Sequence, residues 1–94
     1  MRIAGVIWYP ETVDKLIWKH GVFQEEAEEV FFGYPLYRKV KKGHVPGEDV
    51  YAALGRTEAG RYLIVFFIYK LTREALVLSA RDMDAKERRQ YERR

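Results

Sequence analysis

Residues 61–69 read Arg-Tyr-Leu-Ile-Val-Phe-Phe-Ile-Tyr, and this stretch decides the fold. β-Branched and aromatic residues fill it. Both alternating sets, Leu63, Val65 and Phe67 on one side and Tyr62, Ile64, Phe66 and Ile68 on the other, are apolar. A strand with one wet face alternates between apolar and polar, whereas one that is apolar on both faces is buried on both. Residues 61–69 are therefore predicted to form the central strand of a sheet.

Turns bound this strand on both sides. Thr57-Glu58-Ala59-Gly60 precedes it and Lys70–Arg73 follows it. With spacings this tight the neighbours are antiparallel: Asp49–Gly55 before, Glu74–Ala80 after. Leu36–Val40 supplies another strand, separated from Asp49 by a loop that contains Gly43, Pro46 and Gly47. Ile3–Trp8 is apolar and β-branched, a first strand ended by Tyr9-Pro10. From Glu11, the positions Val13, Leu16, Ile17 and His20 follow helical spacing, and Gly21 is a natural C-terminal cap. Gln24–Phe32 reads as a second helix with Ala27, Val30 and Phe31 inward and Glu25, Glu26, Glu28 and Glu29 in water. Ala85–Arg94 is a third, with Asp84 and Glu87 at capping-box spacing. The expectation is an α+β fold: an antiparallel sheet, two N-terminal helices packed on one face of it, and a C-terminal helix. Residues 1–94 read as a single domain, without repeats or a linker.

Composition narrows the function. The 94 residues include no cysteine, which excludes disulfides, thiolate chemistry and a Cys-based zinc site. No apolar run has the length of a membrane span and no leader pattern opens the chain, so a cytoplasmic protein is expected. Net charge is only +3, but it is unevenly spread. Six acids lie within 11–29, four bases (Arg38, Lys39, Lys41, Lys42) within 38–42, and five (Lys86, Arg88, Arg89, Arg93, Arg94) within 86–94. Basic clusters on a small domain can neutralise phosphates, and each alone reads equally well as a solvated face.

Several phrases, taken as an ordered set, resemble the BrnT family of toxins. They are Lys19-His20-Gly21-Val22, Glu25-Glu26-Ala27 leading to Val30-Phe31, Ala53-Leu54-Gly55-Arg56-Thr57, Gly60-Arg61-Tyr62-Leu63, and Ser79-Ala80-Arg81-Asp82-Met83 with Lys86-Glu87-Arg88-Arg89 and Tyr91. The resemblance covers about residues 8–92. It implies a RelE-like ribonuclease fold, cleavage of RNA without a metal or other cofactor, inhibition of translation and growth, and an antitoxin protein that blocks the active face. A surface kept for an antitoxin also predicts self-association of the isolated chain. The chain departs from the family pattern at Tyr9-Pro10-Glu11-Thr12, where an Asp usually follows the Trp, and at Leu16, where Asn is common.

RNA cleavage of this kind needs activation of a 2′-OH, cations to stabilise the phosphorane and an acid for the 5′-oxygen. Arg61 and Arg81 are the leading candidates, because a guanidinium stays charged and grips two phosphate oxygens. Parity counted from the 70–73 turn puts both on one sheet face. The alternative is that each pairs with a carboxylate such as Glu48 or Asp82. His20 suits proton transfer by its pKa, although its position before Gly21 equally suits packing or capping. Arg56, Ser79 and Arg88 are candidate RNA contacts. Glu48 or Glu58 would orient the arginines or act as base. A binding module on the same fold, with the chemistry lost, is the competing reading.

Overall fold

The computed structural model describes all residues, 1–94, as three helices and a five-stranded sheet. The strands are β1 (Gly5–Ile7), β2 (Leu36–Lys41), β3 (Val50–Arg56), β4 (Tyr62–Tyr69) and β5 (Glu74–Asp82); the helices are α1 (Pro10–His20), α2 (Gln24–Phe32) and α3 (Ala85–Glu92). Spatial order is β1-β5-β4-β3-β2, so β4 is central, as its two-sided apolar pattern requires. β2 to β5 form an antiparallel meander, while β1 adds in parallel at the β5 edge, making the sheet mixed. The opposite edge, β2, carries Lys39 and Lys41, charges that discourage edge-to-edge pairing.

α1 and α2 cover one face. Leu63, Val65 and Phe67 of β4 meet Leu16, Val22, Ala27, Val30 and Phe31 there in a dry core. The Phe67 ring receives the edge of Phe31 at 5.0 Å and lies 6.1 Å from both Tyr37 and Tyr51. Gly21 ends α1 with φ at 62°, a conformation a side chain would strain, and its N–H returns to the Ile17 carbonyl. Val22, the next residue, is fully buried.

The other face is thinly covered. Its buried core is Ala52, Leu54 and Ile64, with Leu36, Phe66, Met83 and Tyr91 packed against it. α3 lies over this patch. The helix is very polar, and its start is fixed by Asp84, which accepts from the Glu87 N–H at 2.8 Å while Glu87 accepts from the Asp84 N–H at 2.9 Å.

One irregularity decides which side chains reach which face. The β4–β5 register runs Phe67 to Val77 and then Phe66 to Ser79, so Leu78 is an extra residue, a β-bulge. Beyond it the parity of β5 reverses. Ile64, not Leu63, is the partner of Arg81.

Candidate RNA interface on the face beneath the C-terminal helix

The bulge overturns the expected pairing of Arg61 with Arg81. Counting straight from the turn assigns Arg81 to the face of Leu63, but cross-strand partners share a face, and the shifted register gives Arg81 the face of Ile64 and Phe66. Arg61, at the entry to β4, reaches the α1/α2 side instead. The two guanidiniums stand on opposite faces at one end of the sheet and do not share a cleft.

Their surroundings differ as well. A guanidinium has five N–H donors. Those of Arg61 are all engaged. Nε donates to Asp82 Oδ1 at 2.7 Å, Nη2 to Asp82 Oδ2 at 3.1 Å and to the His20 carbonyl at 3.2 Å, and Nη1 to the Gly21 carbonyl at 2.7 Å and to Glu26 at 3.2 Å. Arg61 thus ties the end of α1, the start of α2 and the end of β5 together. Glu26 also accepts from the Phe23 N–H, and Thr57, almost fully buried, fixes the Arg61 N–H through its hydroxyl. Hydrogen bonding to Arg61 holds the Asp82 carboxyl below the ordinary range, and Asp82 in turn raises the guanidinium pKa.

Arg81 is held by fewer groups. It clasps Glu87 of α3 through Nη1 at 2.8 Å and Nη2 at 2.9 Å, and Nη1 also donates to the Asp82 carbonyl at 3.1 Å. Its Nε–H and one Nη2 hydrogen have no protein acceptor. The hydrogen bonds from Arg81 keep the nearly buried Glu87 ionised to lower pH than usual, and Arg38 adds to the effect. The Arg81 guanidinium lies 5.6 Å from the centre of the Phe66 ring, and Ser79 stands across the ladder from Phe66 on the same face.

Around this pair the face is cationic and aromatic. The guanidinium of Arg88 sits 3.9 Å from the centre of the Tyr62 ring and that of Arg56 4.7 Å from it. Tyr62 meets the edge of Tyr91 at 6.0 Å, and Arg94 lies 4.2 Å from the Tyr91 ring. Arg38 donates to Gln90 of α3 at 2.7 Å. Such contacts preorganise long side chains, which otherwise lose rotamer entropy on gripping a phosphate. Arg88 pairs only loosely with Glu92, at 3.6 Å with both side chains about half exposed.

The remaining candidates lie elsewhere. His20 closes α1 and contributes its carbonyl to Arg61, on the helix-covered side. Glu48 stands in the loop before β3, beside Lys41, Lys42 and His44, at the far end of β3 from Arg56. At about 3.3 Å per residue along the strand, roughly 20 Å separate it from the ladder position of Arg81 and roughly 30 Å from that of Arg61, too far to orient either. Glu58, on the turn before β4, gives its N–H to Glu29 and faces α2. The sequence reading missed Glu87 as the partner of Arg81, and Tyr62 and Arg38 as members of the α3 face. The capping spacing of Asp84 and Glu87 was visible. What it could not show is that a carboxylate reaching back to its own helix start also lies within reach of β5.

A comparison with curated proteins finds no match. The family model described as "Ribonuclease toxin, BrnT, of type II toxin-antitoxin system" matches residues 8–87, most of the chain. With this match, the antiparallel meander and the flanking helices in their expected order, the chain belongs to the BrnT family of ribonuclease toxins.

Proposed function

We propose that the protein cleaves RNA endonucleolytically and without a metal ion, on the sheet face partly covered by α3, and thereby arrests translation until a cognate antitoxin binds it. The family match over residues 8–87 carries this reading. The arginine-rich face supports the location. Arg81 is the proposed phosphate ligand, because it retains two unused N–H groups directed by a fixed carboxylate partner. Arg88 and Arg56, seated on Tyr62, and Ser79 beside Phe66 are the proposed further contacts. As a 2′-oxygen, its proton lost to water, attacks the phosphorus and the P–O5′ bond breaks, the 5′-oxygen leaving as a hydroxyl after taking a proton from water, negative charge grows on the non-bridging oxygens. A preorganised guanidinium stabilises that charge more than it stabilises the ground state, and that difference is catalysis. Arg61, saturated with acceptors, is assigned a positioning role in the scaffold. A cytoplasmic location is part of this proposal, because the RNA of translation is its substrate.

A second reading, an RNA-binding module without catalysis, is favoured by one observation. Glu87, the α3 carboxylate beside Arg81, is clasped by that arginine, so it is not a free base. The two readings separate when the purified chain is incubated with a labelled single-stranded RNA in the presence of EDTA. Cleavage products ending in a 2′,3′-cyclic phosphate support the toxin reading. Retention of intact RNA supports the module, and cleavage abolished by EDTA contradicts metal independence.

A further inference from the structure

Two grooves meet at the C-terminal end of α2, along the rim of the helix-covered face. One, about 420 Å³, is lined by Glu25, Glu28, Glu29 and Glu58, with Phe32 and a single cation, Arg56. The other, about 450 Å³, is mainly apolar: Met1, Ile3, Phe32, Tyr34, Pro35 and Tyr37, with Arg2 at its rim. Phe32 and Gly33 line both, so the grooves are continuous across the Phe32 ring. Phe32 is 63% exposed and Tyr34 93%, large apolar surfaces with nothing over them.

The acids follow a helical stripe. Glu25, Glu28, Glu29 and Phe32 stand three and four residues apart on α2, so they share one face. Like charges at this spacing repel, and α2 contains no basic residue to relieve them. Glu29 also lies in the last turn, where the helix dipole disfavours anions. Two of the carboxylates are fixed in direction: Glu28 accepts from the Trp8 ring N–H at 2.9 Å and Glu29 from the Glu58 N–H at 3.1 Å. On a chain of net charge +3, four carboxylates against one guanidinium form a local field of the opposite sign. This surface repels RNA and attracts cations.

We infer that the double groove around Phe32 docks a segment of a partner protein in which apolar side chains stand next to lysine or arginine. The apolar side chains fill the Met1–Tyr34–Tyr37 groove, and the cations meet Glu25, Glu29 and Glu58. The inference rests on the toxin reading, which supplies the need for a protein partner. It places that partner's anchor at the edge of the arginine-rich face, with Arg56 shared between the two surfaces.

The test is an NMR titration of the isotope-labelled full chain with two short synthetic peptides that have the same leucines, one carrying lysines and the other glutamates. The lysine peptide is expected to shift the amides of residues 25–34 and 58–60, and to bind at least about tenfold more tightly than the glutamate peptide. Glu25→Lys with Glu58→Lys, both exposed positions, reverses that preference. Phe32→Ala with Tyr34→Ala weakens both peptides and keeps the fold. Equal binding of the two peptides, shifts confined to other surfaces, or a preference unchanged by the charge reversal overturns the inference. So does a wild-type homodimer that the Phe32→Ala variant dissociates, because the occupant is then a second copy. RNA cleavage measured on the same samples keeps the two claims apart. Cleavage without docking contradicts only the docking surface; docking without cleavage supports it and contradicts the ribonuclease assignment.

Discussion

Ile64 lies directly across the β4–β5 ladder from Arg81, so the Arg81 side chain emerges beneath α3, where Glu87 receives it. That single pairing places the least encumbered of the two candidate arginines on the more open face. It also leaves Arg61 on the other side, where three chain segments supply its acceptors. The consequences separate the two residues experimentally.

Arg61→Ala is expected to cost stability. It leaves Glu26, Asp82 and two carbonyls without their donor. Because Asp82 is mostly exposed, water replaces part of what is lost, and roughly 1–3 kcal/mol is expected rather than the full cost of breaking a buried pair. Urea denaturation measures it. Cleavage per folded molecule should stay within a few-fold of wild type, and a large loss in fully folded Arg61→Ala contradicts the positioning role.

Acid should weaken the protein through three carboxylates, one of them Asp49, held low by the Gly43 N–H and by Lys39. Asp82 and Glu87 are both held below their ordinary values by hydrogen bonds from arginine. The folded state therefore binds fewer protons than the unfolded state between the two pKa values, and stability falls as pH falls. The contribution is complete above the unfolded values, about 4, and is lost as pH drops through the lower folded ones. Melting temperatures taken across the acid range should be flat down to about pH 5 and then decline. Arg61→Gln should remove the Asp82 share of that decline. A decline that starts near pH 6.5, where histidine titrates, counts against this assignment.

Deleting Leu78 is expected to be far worse than truncating it. Leu78 is 38% exposed, so Leu78→Ala should cost less than about 1 kcal/mol. Removing the residue erases the bulge and restores unbroken parity, turning Ser79 and Arg81 toward the α1/α2 face and Ala80 away from it. That variant should lose cleavage and either unfold or melt well below wild type. Retained activity would mean that the bulge does not set the site.

The parts of this fold that follow from periodicity were legible from sequence: the central strand from its two apolar faces, α1 from its spacing and Gly21, α3 from Asp84 and Glu87. The parallel edge strand was not placed, because three residues carry no signal for which neighbour they pair with. The site was half legible. Arg81 and Ser79, two residues apart in one strand, share a face as alternation requires, since both lie beyond the bulge. Their relation to Arg61 was not legible, because an exposed leucine in a β-rich stretch looks the same whether it is paired or bulged. Arg61 looked like a phosphate ligand because its residue type fits. Only the fold shows that His20, Gly21, Glu26 and Asp82 converge on it and use up its donors.

The most direct measurement is single-turnover RNA cleavage by wild type and by the double variant Arg81→Ala/Glu87→Gln, followed alongside circular dichroism. The paired change avoids stranding the Glu87 carboxylate, so the fold should persist. Losing one preorganised donor group at the phosphorane is worth about 2.7–4 kcal/mol, so the rate should fall by roughly a hundredfold to a thousandfold. A folded double variant that cleaves RNA at the wild-type rate would contradict the assignment of the α3 face as the active surface.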